Sequence, residues 1–242
     1  MKWATFLAGL LSMLIVGQAQ LLQAEDTEVK SREEMVRRQL VGAGITDPAV
    51  LKAMTEVPRH EFVPASLRPH AYADSPLPIG HGQTISQPFI VAYMTQALGL
   101  SKEDTVLEVG TGSGYQAAIL GRLAKEVYTI EIVPPLAEFA RIVLAKLGFQ
   151  NVHVKLGDGY LGWPEVAPFD AIIVTCAPDR VPEPLISQLK EGGRLVIPVG
   201  EAGGVQKLVL LRKKNGEISR SSMLDVRFVP MTGKMTNGLT NE

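Results

Sequence analysis

The distribution of apolar and polar residues predicts a chain in which strands and helices alternate. Short runs rich in Val and Ile are typical of buried parallel strands and occur at 105–109, 125–133, 151–156, 169–175 and 194–199. Apolar residues at helical spacing predict one buried helix face, formed by Leu136, Phe139, Ala140, Val143, Leu144 and Leu147. Two further runs, 206–212 and 222–229, are joined by a short link and predict an antiparallel pair at the sheet edge. The pattern predicts an α/β fold with a doubly wound, mostly parallel sheet.

The part of the chain before the first predicted strand is helical in pattern. Residues 27–42 are charged and have helical spacing. Asp47 followed by Pro48 fits an N-cap residue and a proline at the first helical position, and opens a helix over 49–57. Residues 89–98 predict another helix directly before the first strand.

A segment between these helices, residues 65–88, is rich in Pro, Gly and His and has no clear period. A loop of that length is unusual in a compact domain and tends to be functional. We therefore expect a single domain in which an N-terminal helical cap with a functional loop, residues 25–98, precedes the sheet of residues 99–242.

The N-terminus has the features of a secretory signal peptide. Lys2 precedes an apolar run over 3–17, and Ala19 or Ala24 could end a cleavage site, so we interpret residues 1–24 as a signal peptide. The run is too short to span a bilayer comfortably. The alternative is that synthesis starts at a later methionine such as Met35.

Composition narrows the class of protein. The 242 residues are 46% hydrophobic and 20% charged, as in a globular domain with a sizeable core. The formal net charge of −1 and the lack of a basic block argue against a nucleic-acid partner. The single cysteine, Cys176, lies in an apolar strand-like run and is interpreted as packing. The histidines have no ligand spacing with cysteine or carboxylates, so we predict no metal site.

The segment VLEVGTGSGY carries the strongest functional signal. A strand containing Glu108 runs into Gly110, Gly112 and Gly114, and a helix-forming run follows. Glycine tolerates positive φ and lets the backbone approach a ligand, and the start of a helix offers free N–H groups. A dinucleotide fingerprint requires G-x-G-x-x-G, and here Tyr115 occupies the place of the third glycine. The spacing resembles the S-adenosylmethionine loop of class I methyltransferases; the alternative is a strand-turn-helix without a ligand.

Two acidic residues follow predicted strands further along the chain. Glu131, near the end of the second strand, is placed to accept hydrogen bonds from ribose hydroxyls, or is a solvated strand-end carboxylate. Asp158, beside Gly159 after the third strand, could accept from an adenine amino group or hold a turn. With Glu108, these acids end three successive strands at the edge where open α/β sheets bind ligands. Their order predicts a shared cofactor site.

The segment ADSPLPIGHGQTISQPFIVAYM, residues 73–94, closely resembles the protein-L-isoaspartate O-methyltransferases. VPRHEFVP, VLEVGTGSGY, GDGYLGWPEVAPFDAIIVTCAP and LKEGGRLVIPVG are similar to further blocks of that family, in the same order, from about Met35 to Thr232. The resemblance implies methyl esterification of the free α-carboxyl of L-isoaspartyl residues, and less readily of D-aspartyl residues, in damaged proteins. It implies S-adenosyl-L-methionine as methyl donor. The leader and His81, where some relatives carry other residues, depart from the family pattern.

The resemblance also implies a role for individual residues. Ser86 matches the active-site serine, and Gln83, Thr84 and Ile85 match residues that line the place where cofactor and carboxylate meet. Thr232 matches a C-terminal position near the site. The expected cofactor-binding residues are Glu108, Gly110, Gly112, Gly114, Tyr115, Glu131, Asp158 and Gly159.

The chemistry of this transfer requires few groups. A carboxylate with an unperturbed pKa of about 4 is already the nucleophile near pH 7 and needs no general base. The methyl group of a sulfonium is already activated, so the rate depends on alignment and on exclusion of water. Ser86 and neighbouring backbone N–H groups are expected to hold one carboxylate oxygen and direct the other at the methyl group.

Three other classes of protein stay open. A small-molecule methyltransferase would share the glycine loop without needing the PIGHGQTISQP segment. An NAD-dependent oxidoreductase is disfavoured by Tyr115, and a non-catalytic S-adenosylmethionine-binding protein would lose Ser86. Because S-adenosylmethionine is made in the cytosol, we expect a cytoplasmic protein, with export as the alternative if the leader is used. We expect a monomer without stable membrane association.

Overall fold

The computed structural model describes residues 26–233, so the predicted signal peptide lies outside the described residues. The strands are β1 Leu77–Gly80, β2 Gln83–Ile85, β3 Thr105–Val109, β4 Glu126–Glu131, β5 Val152–Leu156, β6 Phe169–Val174, β7 Leu189–Val199, β8 Gln206–Lys214 and β9 Glu217–Val226. The α-helices after residue 40 are α1 Pro48–Glu56, α2 Pro88–Leu98, α3 Tyr115–Gly121, α4 Pro134–Lys146 and α5 Glu183–Ser187. Residues 26–34 are also helical and continue into a π-helical segment, Met35–Leu40.

One sheet of seven strands dominates the fold, in the order β5-β4-β3-β6-β7-β8-β9. Strands β3 to β7 pair in parallel, and β8 and β9 pair antiparallel at one edge. The chain turns from β3 to β4 and β5 on one side and to β6 and β7 on the other, which makes the carboxyl end of β3 a topological switch point. The predicted doubly wound, mostly parallel sheet with an antiparallel edge is confirmed.

Three strands differ from the predicted runs: β7 and β9 begin earlier, β8 continues to Lys214, and β9 ends at Val226, so residues 227–229 of the predicted run are not in a strand. Strand β7 begins at Leu189, five residues before the apolar run at 194–199. The sequence pattern did not predict this first part, because residues 190–192 are exposed and carry no apolar side chain. Strand β9 begins at Glu217, because Asn215 and Gly216, with φ of 55° and 76°, form a tight hairpin turn from β8.

The predicted helices are present, but two residues of the predicted buried face of α4 are less buried than expected. The Asp47 carboxylate accepts hydrogen bonds from the N–H groups of Ala49 at 2.8 Å and Val50 at 3.2 Å, which confirms the predicted N-cap of α1. On α4, the expected stripe is buried except for Phe139, which is 37% exposed, and Leu147, which is half-buried.

The segment predicted as irregular, 65–88, is more ordered than its composition indicates. It contains a 3-10 helix, Ala65–His70, and the antiparallel β1–β2 hairpin. Gly80, His81 and Gly82 turn the hairpin with φ of 90°, 53° and 71°. Strands of four and three residues are too short to show a period of two in sequence.

The cap packs on the sheet domain through one apolar cluster. Met54 and Phe62 of the cap share this cluster with Tyr115 of α3 and Leu144 of α4. The cap therefore rests on the helix that follows the glycine loop, and the hairpin lies over the carboxyl ends of the central strands. No helix within residues 26–233 is long and apolar enough to cross a membrane.

Candidate functional site

A cavity of about 770 Å³, partly open to solvent, lies at the carboxyl ends of the central strands, under the β1–β2 hairpin. Its walls are the glycine loop, the end of β4, the end of the hairpin and two segments near the end of β6 and the C-terminus, at 109–113, 130–133, 83–86, 175–176 and 229–232. This is the switch point at which open α/β sheets bind ligands.

The glycine loop forms the floor of the cavity with its backbone. Gly110, Gly112 and Gly114 have φ of 98°, 54° and 91°, a region that side chains other than glycine rarely adopt. A Cβ atom on Gly110 would lie 2.4 Å from Thr175 Oγ1, and this hydroxyl donates a hydrogen bond to the Gly110 carbonyl at 2.6 Å. The glycines are thus required by both conformation and close approach.

Glu131 connects the glycine loop to β4. Its Oε2 accepts a hydrogen bond from the Gly112 N–H at 2.7 Å, and Oε1 accepts from the Val133 N–H at 2.9 Å. The side chain is 5% exposed and lines the cavity, so it is not a solvated strand-end carboxylate. Each carboxylate oxygen can accept more than one hydrogen bond, which leaves capacity for a ligand hydroxyl. Sequence reasoning did not reveal its bond to the loop.

Glu108 lies behind the cavity wall and does not line the cavity. It is fully buried, and neither carboxylate oxygen has a hydrogen-bond partner among residues 26–233. Burial raises the pKa of Glu108 to about 8. The nearby Thr129 hydroxyl, which is hydrogen-bonded to Thr111 at 2.6 Å, partly opposes this rise in pKa. The negative charge of Glu131 adds to the rise. Glu108 is therefore mostly protonated at neutral pH, and direct contact with a cofactor stays a prediction.

Asp158 and Gly159 form a short turn after β5. The Asp158 carboxylate accepts a hydrogen bond from the Tyr160 N–H at 3.0 Å and caps the 3-10 helix Gly159–Leu161. Gly159 lines the cavity, whereas Asp158 does not. A Cβ atom on Gly159 would lie 2.3 Å from Val109 Cγ1, so a glycine is required there by packing. The turn-holding role of Asp158 is present, and adenine recognition stays a prediction.

Tyr115 lines the cavity, but its phenol points into the cap. The ring packs edge-on against Phe62 at 5.6 Å between centroids, and the hydroxyl lies 3.7 Å from Met54 Sδ. Burial raises the pKa of this phenol to about 12. The aromatic residue in place of a third glycine therefore anchors the cap to the helix that follows the loop.

The hairpin brings the predicted serine to the cavity. Gln83, Thr84, Ile85 and Ser86 all line it, as does Thr232. The half-buried Ser86 hydroxyl makes no hydrogen bond within residues 26–233, so it does not bond its own loop as the structural alternative requires.

Backbone pairing brings the C-terminal segment to the same place. The Met231 N–H donates to the Ala177 carbonyl at 2.9 Å, and the Ala177 N–H donates to the Val229 carbonyl at 2.8 Å. Thr232 follows directly and lies at the cavity mouth.

A second, open groove of about 1,000 Å³ adjoins the cavity. The two share Thr84, Ser86 and Thr175, and the groove continues past Ile90 and Phe228. Sequence reasoning missed this groove. Thr175 follows directly after β6, so its place at the carboxyl end of a parallel strand could have indicated it. The segment 225–229 has a strand-like pattern but no local feature that indicates a binding groove.

Cys176 lies just beyond β6, in the cavity wall, and not within the strand as predicted. Burial, with smaller contributions from Glu131 and Glu108, raises the pKa of its thiol to about 12, so the thiol is not a nucleophile at neutral pH. Residues 26–233 contain no group of three or more His, Cys, Asp or Glu side chains placed to hold a metal ion.

Fold and site define an α/β protein with a ligand-sized cavity at the switch point of its sheet. The family model of protein-L-isoaspartate(D-aspartate) O-methyltransferase matches residues 30–236. A protein-L-isoaspartate O-methyltransferase of Opitutus terrae is 57% identical over 91% of this chain and 94% of its own. One of Picosynechococcus is 56% identical over 86% of this chain and 93% of its own. The chain belongs to the protein-L-isoaspartate(D-aspartate) O-methyltransferase family.

Solved structures of the same family share the fold. A protein-L-isoaspartate O-methyltransferase superposes with a TM-score of 0.76 and 35% identity, over 84% of this chain and 66% of that longer chain. A structure from Plasmodium falciparum assigned to these enzymes, in complex with S-adenosyl-L-homocysteine, superposes with a TM-score of 0.74 and 28% identity. It is covered over 98% of its length, and 83% of this chain is matched.

Proposed function

We propose that this protein transfers a methyl group from S-adenosyl-L-methionine to the free α-carboxyl of L-isoaspartyl residues, and less readily to D-aspartyl residues, in damaged proteins. The resulting ester would initiate repair of the damaged linkage. The observation that carries the proposal is the position of Ser86, whose unbonded hydroxyl lies where the cavity and the open groove meet.

The residues of the cavity fit the cofactor. Gly110 and Gly112 line the cavity with backbone atoms alone, and Glu131 has spare acceptor capacity for ribose hydroxyls. Gly159 also lines the cavity and adds no side chain to it. When bound, S-adenosyl-L-methionine supplies an activated methyl group on its sulfonium.

Ser86 and the groove have separate tasks in this proposal. The Ser86 hydroxyl donates a hydrogen bond to one oxygen of the substrate carboxylate, which leaves the other oxygen free to face the cavity. The Glu131 carboxylate is already bonded to two backbone N–H groups, which reduces its repulsion of a second carboxylate. No general base is required, because the substrate carboxylate is ionised near pH 7.

The groove supports a peptide substrate over a small molecule. Its volume is larger than that of the cavity, and it is open to solvent beside Ser86. Apolar groups of Ile90, Val205 and Phe228 line it and can contact side chains that flank the damaged residue. An isoaspartyl linkage moves the free carboxylate by about one methylene relative to aspartate, and a misplacement of about 1 Å can lower a rate that depends on alignment about a hundredfold.

Paired peptides test this function directly. The protein is incubated with labelled S-adenosyl-L-methionine and peptides that differ only in aspartyl or isoaspartyl at one position, and methyl ester is measured. We expect ester on the isoaspartyl peptide and almost none on its partner. Equal rates would indicate a general carboxyl methyltransferase, and no ester on either would favour a small-molecule substrate.

We also propose that the protein is cytoplasmic, because its methyl donor is made in the cytosol, and that it is a monomer. Cell fractionation with N-terminal sequencing and a measurement of solution mass test these two points. A chain that starts after Ala24 in an exported fraction, or a mass of two chains, would contradict them.

A further inference from the structure

Arg59 is a buried arginine that contacts neither the cavity nor the groove. It is 0% exposed, and its Nε donates a hydrogen bond to the Ala71 carbonyl at 2.7 Å. Its Nη2 donates to the Ser75 carbonyl at 3.5 Å, a weak bond, and Nη1 has no partner among residues 26–233. Burial lowers the pKa of Arg59 to about 10, so the guanidinium stays charged at neutral pH. Burial of a charged group in the core costs desolvation free energy, which hydrogen bonds and other contacts to that group must compensate.

The segment that Arg59 holds, residues 71–75, is directly connected to both sides of Ser86. On one side, Leu77 follows the segment and pairs with Ile85 in the hairpin. On the other, the Asp74 carboxylate accepts hydrogen bonds from Gln87 Nε2 at 2.8 Å and from the Phe89 N–H at 2.9 Å. Ser86 itself has no anchoring hydrogen bond within residues 26–233, so its position depends on these flanking contacts.

Arg59 also contacts the first residue of the helix that follows the glycine loop. Its guanidinium carbon lies 4.8 Å from the centroid of the Tyr115 ring, a cation–π distance. Tyr115 begins the helix directly after Gly114. Arg59 therefore contacts both Tyr115, directly after the glycine loop, and residues 71–75, which are connected to Ser86.

We infer that Arg59 is a positioning residue for methyl transfer, which acts through residues 71–75 and Asp74 to hold Ser86 at a fixed place relative to the glycine loop. The inference rests on the proposed function for its kinetic test. Its structural content, that Arg59 and Asp74 order the hairpin, can be tested without activity.

Two variants test the inference. Arg59→Lys keeps the positive charge but removes the guanidinium that donates to the Ala71 and Ser75 carbonyls. Asp74→Ala, at an exposed position, removes the hydrogen bonds from Gln87 and Phe89 beside Ser86. Arg122→Lys is the matched control, because the Arg122 guanidinium also lies 4.8 Å from an aromatic centroid, that of Phe149, and is 45% exposed in its side chain. Cofactor affinity by calorimetry, kcat and KM on the isoaspartyl peptide, and hydrogen exchange of residues 77–87 are measured for each.

We expect Arg59→Lys and Asp74→Ala to lower kcat/KM by up to about tenfold, the loss expected for Ser86→Ala itself, with cofactor affinity within about threefold of the unmodified protein. In a Ser86→Ala background the same changes should cost less than about threefold, because their effect passes through the serine. Hydrogen exchange of residues 77–87 should rise in both variants and stay unchanged in Arg122→Lys.

Three results would overturn the inference. The first is unchanged kcat/KM in both variants of an active protein, and the second is a loss that multiplies fully with Ser86→Ala. The third is unchanged hairpin exchange, which decides the matter even if the protein forms no ester and the proposed function fails. If Arg59→Lys does not fold, Asp74→Ala still tests the link from residues 71–75 to Ser86 on which the inference depends, and unchanged kcat/KM and hairpin exchange in that variant would overturn it.

Discussion

The two sides of the cavity are built in different ways. The sheet side consists of strands buried on both faces and of glycines whose positive φ determines the path of the loop. The hairpin side, 83–86, belongs to a sheet of only two strands and is held to the rest by side-chain contacts such as those of Asp74. A seven-stranded sheet fixes the ends of its strands many times over, whereas a two-stranded hairpin is at best marginally stable alone.

This difference in construction corresponds to a division of tasks. The sheet side carries the expected cofactor contacts and the hairpin side carries the serine proposed to hold the substrate carboxylate. If the comparison is right, changes on the sheet side should lower cofactor affinity, and changes on the hairpin side should lower turnover while affinity is kept.

Gly110→Ala should disrupt the sheet side most. The added Cβ would lie 2.4 Å from Thr175 Oγ1 at a φ of 98°, so the loop must shift, at a cost of about 1–3 kcal/mol in strain. We expect up to about a hundredfold weaker binding of S-adenosyl-L-methionine by calorimetry. Gly99→Ala is the control, since its φ of 57° is also positive but the space around it is open. Normal affinity in Gly110→Ala would show that the loop tolerates a shift.

Glu108 should make stability depend on pH. Burial raises its pKa in the folded protein to about 8, above the unfolded value of 4.5, so the folded state binds more protons between these values. Its stabilising contribution is complete below about pH 4.5 and is lost as the pH rises through about 8, by an amount on the order of a few kcal/mol. In urea unfolding from pH 5 to pH 8, Glu108→Gln should lose less stability than the unmodified protein.

The exposed Glu103→Gln is the control for that titration and should follow the unmodified profile. A Glu108→Gln protein with the same pH profile as the unmodified one would mean that Glu108 is ionised in the folded state.

Glu131→Gln should weaken the cofactor site without unfolding it. The change replaces charge-assisted hydrogen bonds, worth roughly 1.5–3 kcal/mol, with neutral ones. We expect about tenfold to a hundredfold weaker binding of S-adenosyl-L-methionine by calorimetry, with Glu138→Gln, on exposed α4 surface, as control. Equal affinities in all three proteins would remove Glu131 from the cofactor site.

Ser86→Ala should have the smallest effect, and one confined to turnover. Losing one positioning hydrogen bond predicts a fall in kcat/KM of about tenfold on the isoaspartyl peptide. Cofactor affinity should stay the same, because the hydroxyl is assigned to the carboxylate. A large fall in affinity would place Ser86 on the cofactor side and break the division between the two sides of the cavity. Ser187→Ala is the control, because Ser187 is exposed and lines neither the cavity nor the groove.

Local patterns were sufficient for the sheet and for most of the cavity wall. The apolar runs of the parallel strands, the glycine spacing and the Asp47-Pro48 helix start each depend on residues close in sequence. The family resemblance located Ser86, which the structure brings to the cavity. The buried hairpin support around Arg59 could not be read, because its partners lie 12 and 16 residues away in an irregular segment.

The sequence by itself determined which strands are central, where the backbone must be glycine and which acids stand near strand ends. These depend on side-chain period and backbone sterics, which act over a few residues. Only the tertiary structure decided that Glu108 lies behind the wall, that the Tyr115 phenol belongs to the cap, and that 225–229 borders a groove at Ser86. Each of these follows from contacts between segments far apart in the chain, and no local pattern encodes the depth of a side chain or the partner it meets.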